Sequence, residues 1–105
     1  MSRYKYFKLN YVHNMIQIFT TDNKTADWIV GEIEKMVPSC RVYKGAEYAR
    51  IDELKGIEKK IGAWVIQILC KQGWEAYAGT GPFNGTIWHH LRYRYDTHEL
   101  SPLNK

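Results

Sequence analysis

Apolar residues along the chain switch between a spacing of two and a spacing of three and four, and each switch marks an element. In "RYKYFKLNYVHNMIQIFTT" (residues 3–21) Tyr4 and Tyr6 alternate with Lys5, Phe7 and Leu9, and Ile16 and Ile18 flank Gln17. Period two among aromatic and β-branched residues predicts strands. "VHN" (residues 12–14) is the place for a turn, because Asn tolerates a left-handed backbone, so the segment reads as a hairpin. In "TDNKTADWIVGEIEKMVP" the residues Ala26, Ile29, Val30, Ile33 and Val37 recur at three and four, which predicts a helix with one buried stripe. Asp22 or Thr25 can cap it, Pro38 stops it, and Gly31 inside it suggests close packing against a sheet.

"CRVYKGAEYARI" (residues 40–51) alternates again. Lys44-Gly45 can turn between two short strands, and one strand followed by a loop fits as well. In "DELKGIEKKIGAWVIQILCKQG" the residues Leu54, Ile57, Ile61, Trp64, Val65, Ile68 and Leu69 share one helical face. Asp52 is a natural N-cap there, although Gly56 and Gly62 weaken the first half and allow a start as late as residue 57. Gly73 falls just past the last periodic position, where a left-handed glycine ends a helix, and Trp74 is then placed to fold back onto Leu69 or Cys70. "WEAYAG" and "GTIWHHLRYRY" (residues 85–95) read as strands joined by "TGPFN", with Asn84-Gly85 as the turn signal. The order predicts an α+β fold, an antiparallel sheet of four to six strands with two helices packed on one face. The same reading expects a single domain over residues 1–97 and a flexible tail over 98–105.

Composition narrows this only a little. At 105 residues the chain is one domain that needs no disulfide or metal to fold. Cys40 and Cys70 lack a CxxC spacing and the N-terminus is too polar for a signal peptide, so the expectation is a cytoplasmic protein with reduced thiols. No apolar run is long enough to span a membrane. The net charge of +4 permits an anionic partner without requiring one, and the eight Tyr and four Trp suit cores, interfaces and base-stacking surfaces alike.

Candidate chemistry concentrates in the last strand. Its odd positions, Ile87, His89, Leu91, Tyr93 and Tyr95, should meet the helices, with His89 as a hydrogen-bonded core histidine. Its even positions, Thr86, Trp88, His90, Arg92 and Arg94, then face outward. A planar aromatic beside guanidinium groups can stack a base and neutralise a phosphate. The candidate binding residues are Trp88, His90, Arg92 and Arg94, extended by Tyr77 and Glu75 on the neighbouring strand, with Thr80 and Phe83 at the rim. Such a face is equally the surface of a protein interface, where Trp and Arg are enriched. The leading expectation is therefore a non-enzymatic module that binds a protein partner, with self-association as a homo-oligomer. The alternative is an anionic ligand, RNA, DNA or a nucleotide. Below both stands a small metal-independent ribonuclease using His90 or His13 with Arg92 and Arg94. No nucleophile elbow, P-loop or zinc spacing occurs, adjacent His89 and His90 point to opposite faces, and no metal or cofactor is expected.

The segments "YKYFKL" and "IGAWVIQILCKQGWEAYAG…GTIWHHLRYR" resemble small bacterial and phage domains of unknown function, which pair an amphipathic helix with a "GWE" seam and a closing β-hairpin. The similarity covers residues 3–9 and about 61–95, and the segment between stands as an insertion with its own helix and strands. The resemblance implies a compact α+β fold and self-association, and it carries no catalytic residues.

Overall fold

A computed structural model of the chain describes residues 4–83 and 86–94, with the backbone alone at 78–83, 86 and 87. The elements run β1 (Tyr4–Val12), β2 (Met15–Thr20), α1 (Asn23–Met36), β3 (Arg41–Gly45), β4 (Tyr48–Asp52), α2 (Glu58–Lys71), β5 (Glu75–Phe83) and β6 (Thr86–Arg94). All pairings are antiparallel, in the order β3-β4-β2-β1-β6-β5. Both helices cover the same face, α1 over β2 and β4 and α2 over β1, β2 and β5. This is the α+β arrangement that the alternating periods predict. The tail at 98–105 and the Asn84-Gly85 turn lie outside the described residues, as do Tyr95 and His98.

The strand periodicity works because each strand offers one parity to the helices. Phe7 and Leu9 of β1 pair with Thr20 and Ile18 of β2 and with Leu91 and His89 of β6, all on the helix side. Ile16, Ala49, Ile51 and Leu91 are fully buried with them, under Ile29 and Ile33 of α1 and Ile61, Val65 and Leu69 of α2. The hairpin turn is His13-Asn14, and Asn14 takes the left-handed φ of 67° expected of it. At the start of α1 the two candidate caps act together. Asp22 accepts from the Thr25 backbone N–H at 3.0 Å and from the Thr25 hydroxyl at 2.6 Å. Lys5 of β1 donates to the same carboxylate, and its ammonium lies over the rings of Trp74 and Tyr93. Burial works to raise the Asp22 pKa, but the bonds from Lys5 and Thr25 outweigh it and hold the carboxyl below its usual value.

Four local expectations need correction. Asp52 does not cap α2: it ends β4, paired with Met15 and Arg41. Left-handed residues at Glu53, Lys55 and Gly56 then bar helix until residue 58. Leu54 reaches the core from this loop, which Asn14 ties down by accepting from the Lys55 N–H. The β3–β4 turn is Ala46-Glu47, not Lys44-Gly45, and Glu47 supplies the positive φ of 57°. Gly31 has nothing within 4 Å of a built Cβ, so it does not mark close packing; Gly62 does, with the Tyr11 ring 2.7 Å away. Finally, β5 runs on through Gly81 to Phe83 where a loop was expected, accommodated by register shifts on an edge strand.

The helix stop after α2 is as the sequence suggests. Gly73 takes φ 101°. Its N–H bonds to the Cys70 carbonyl, and the Trp74 N–H reaches back to the Leu69 carbonyl. These are the two bonds of a Schellman motif, which satisfy carbonyls the helix leaves open. Trp74, 4% exposed, packs edge-on against Phe7 at 5.8 Å. The seam therefore locks α2 to β1 and sets where β5 begins. Cys40 and Cys70 are both free thiols.

Candidate functional site

Among the described residues no helix covers the second face of the sheet, and the pairing register decides what it displays. Tyr4, Tyr6, Lys8 and Asn10 of β1 stand opposite Arg94, Arg92, His90 and Trp88 of β6. On the other side, Lys8 and Asn10 pair with Phe19 and Gln17 of β2, which continue to Tyr48 and Arg50 of β4 and then Tyr43 of β3. Trp88, His90, Arg92 and Arg94 thus share the open face as expected, and Tyr77 joins them through ring contacts with Tyr6 and His90. Thr80 and Phe83 have described backbone on β5 opposite Trp88 and Thr86, but their side chains lie outside the described residues.

Two groups of rings form on this face. Tyr6 meets Tyr4 and Tyr77, and the Arg92 guanidinium lies 5.0 Å from the Tyr4 ring centre and 4.9 Å from that of Tyr77. Arg92 also bonds Glu75 at 2.6 Å, so its charge is already engaged within the sheet. In the second group Phe19 packs against Tyr48 at 4.8 Å and Trp88 at 5.5 Å. Beyond it, Arg50 covers Tyr43 and pairs with Asp52 at 3.2 Å. Between the groups runs an open trough of about 550 Å³, walled by Tyr6 and Tyr77 on one side and Phe19 and Tyr48 on the other. Lys8 lies along it and forms no ion pair among the described residues. The nearby His90 imidazole is held below its usual pKa, first by burial and then by the Lys8 charge.

The neighbouring histidine behaves differently from expectation. His89 stacks on Tyr11 at 5.6 Å, and its Nε2 is buried with no hydrogen-bond partner. Burial pushes its pKa down, with a smaller contribution from His90. It is a half-buried ring held by stacking, and the hydrogen bond expected of it is missing at Nε2. His13 sits at the β1–β2 turn, five positions along β1 from the Lys8 that faces His90, roughly 17 Å away at strand rise. The two histidines therefore do not form an acid–base pair. Among the described residues no group of His, Cys, Asp or Glu could hold a metal ion, and no helix is long and apolar enough to cross a membrane.

The sequence reading missed Tyr6, Lys8, Asn10, Phe19 and Tyr48. The parity of Tyr4, Tyr6 and Lys8 was visible, yet nothing local says that β1 lies between β2 and β6.

No family model matches the chain and no curated protein matches it, so the resemblance of its "GWE" seam to small bacterial and phage domains rests on those residues alone. Its fold is similar to the crystal structure of a conserved kinetoplastid-specific protein from Trypanosoma cruzi. The TM-score is 0.51 at 12% identity, over 90% of this chain and 98% of that one. At this identity the likeness concerns the fold alone.

Proposed function

We propose that the protein is a non-enzymatic binding module whose open sheet face holds an anionic ligand with planar groups. Lys8 is the observation that carries this reading: an ammonium that forms no ion pair among the described residues, in a trough lined by four aromatic rings and, from the β3–β4 turn, by Glu47. Rings supply flat apolar contact for planar groups, and the cation supplies the attraction for charge. Arg92 and Arg50 differ from Lys8, since each already pairs with a carboxylate and serves to hold the rings. The test is titration calorimetry with short oligonucleotides and with polyanions that lack rings, across a salt series. A ringed anion should bind with affinity that falls as salt rises, with a logarithmic slope of about −0.7 for the one phosphate at Lys8, and Lys8→Ala should weaken it at least tenfold. Equal binding of the ringless polyanion, or an unchanged affinity in Lys8→Ala, would refute the reading.

A protein partner, including a second copy of the chain, is the second reading. It is favoured by the 38–44% exposure of Tyr6, Phe19, Tyr43 and Tyr77, four large rings on one face. Sedimentation velocity over a range of concentrations separates the two. A mass that rises with concentration and reverts in Phe19→Arg supports the interface, whereas a monomer throughout counts against self-association.

A further inference from the structure

Asn10 is out of place. It lies on the face that neither α1 nor α2 covers, yet it is 1% exposed, and its Oδ1 has no hydrogen-bond partner among the described residues. Its cover comes from rings. Trp88 stands directly opposite it on β6, Phe19 sits one pair further along on β2, and the two rings meet at 5.5 Å across β1. A buried amide with an unmet acceptor makes the fold less stable than an apolar side chain of similar size would. Such a group calls for an explanation beyond packing.

We infer that the ligand of this face is a single strand of RNA or DNA, and that one of its bases enters between Phe19 and Trp88 to hydrogen-bond Asn10. The inference rests on the anionic-ligand reading above and deepens it. A carboxamide offers a donor and an acceptor side by side, whichever way it is turned, and that pair matches the edge of a base. The rings that shelter it are those on which a base would stack. Gln17, opposite Asn10 on β2, adds a second amide beside the same position.

The spread of the rings along the face argues for a strand over a lone nucleotide. Tyr6 stands opposite Arg92 and Asn10 opposite Trp88, four residues further along β1, which is roughly 13 Å at strand rise. The Tyr6–Tyr77 rings lie toward one end of that run and the Phe19–Trp88 rings toward the other, with Lys8 between them. A nucleotide has one base and can occupy only one ring group, whereas a strand presents successive bases to both and a phosphate to Lys8. A duplex keeps its base faces stacked inside and presents none of them to these rings.

The test uses the full chain in fluorescence anisotropy with labelled eight-nucleotide homopolymers of each base, as RNA and as DNA, with mononucleotides as competitors. The eight-mers should bind at low salt, one base should be preferred at least fivefold, and mononucleotides should fail to compete at a hundredfold excess. Asn10→Leu should flatten the base preference while matching or exceeding the melting temperature of the unaltered protein. Lys8→Ala should weaken all homopolymers by the same factor. In the unaltered protein the Asn10 side-chain amide signal in an NMR spectrum should shift with an eight-mer, which covers the case of a variant that does not fold. Equal preference for RNA and DNA identifies base and phosphate chemistry as the target, and a tenfold bias to RNA identifies the ribose hydroxyl as a further contact; both support a single strand. Mononucleotides that compete as well as eight-mers overturn the strand inference and leave the anionic reading standing. An unshifted Asn10 amide, or a base preference that survives Asn10→Leu, overturns the role of Asn10. No binding of any nucleic acid at low salt overturns this inference; if ringed anions of another class then bind through Lys8, the underlying reading survives it.

Discussion

The same substitution at two helical glycines should have opposite effects. Glycine in a helix interior costs about 0.5–1 kcal/mol relative to alanine, mostly through backbone entropy. At Gly31 of α1 a Cβ meets nothing within 4 Å, so Gly31→Ala should recover most of that and stabilise the fold by about 0.5–1 kcal/mol. At Gly62 of α2 a Cβ would stand 2.7 Å from Tyr11 Cδ1, 3.1 Å from Cε1 and 3.5 Å from Leu9 Cδ2. The nearest atom is in the body of the ring, so relief requires the whole ring to move. That ring is stacked on His89, itself half-buried, and Leu9 beside it is fully enclosed. Overpacking of this kind costs about 1–3 kcal/mol, more than the helical gain, which leaves Gly62→Ala destabilising by about 1–2 kcal/mol. Urea denaturation of both variants reads the difference directly, and by heat it corresponds to melting points roughly 6–20 °C apart. A Gly62→Ala protein as stable as Gly31→Ala would show that Tyr11 does not pack against α2 as described.

Other parts of the fold give sharper local tests. Asp22→Ala removes the α1 cap and the carboxylate that Lys5 bonds, and should cost about 2 kcal/mol at pH 7. Because the Asp22 pKa is lowered in the fold, its stabilisation is full above the unfolded pKa and fades as pH falls through the folded one. The penalty of Asp22→Ala in denaturant titrations should therefore shrink on going from pH 7 to pH 2.5, and a constant penalty would argue against the ion pair. Gly73→Ala forces a Cβ into a φ of 101° and should cost about 1–2 kcal/mol by urea titration, where a neutral result would contradict the Schellman stop.

Local signals were legible where one short segment contains the whole cause. Asp22, Asn14, Pro38 and Gly73 each act through their own backbone or that of near neighbours, and each stands where the pattern of residues puts it. The late start of α2 that Gly56 allows is close to the one found, with Ile57 as N-cap, whereas the Asp52 cap fails because the periodic Leu54 belongs to a loop that follows the same face without being helical. Left-handed residues at Glu53 and Lys55 have no strong sequence signature. The candidate site was half legible. Parity alone put Trp88, His90, Arg92 and Arg94 on one face, because alternation is a property of a single strand. Tyr6, Lys8, Asn10 and Phe19 join them because β1, paired with β2 in the hairpin the sequence predicts, also pairs with β6, a contact across most of the chain that no local pattern encodes.

His89 and His90 connect the two faces of the sheet, since adjacent residues in β6 report on opposite environments. Both pKa values are lowered, His89 mainly by burial against the helices and His90 by burial and then by Lys8. A histidine whose folded pKa lies below the unfolded value of about 6.5 binds fewer protons folded than unfolded in the window between the two. Stability therefore holds above the unfolded pKa and falls as pH drops below it. His89→Phe should remove part of that loss, because a ring of similar shape keeps the stack on Tyr11 and cannot charge. His90 works in the other direction for a ligand. An anion placed on Lys8 offsets the charge that disfavours the imidazolium, which raises the His90 pKa in the complex. Binding then takes up a proton, and affinity for an anion should increase as pH falls from 7.5 to 6, while stability of the free protein is lower at the acid end. Calorimetric titrations in two buffers of different ionisation enthalpy measure that uptake, and it should vanish in His90→Gln. Proton release on binding, or uptake that persists in His90→Gln, would place the ligand away from Lys8 and His90.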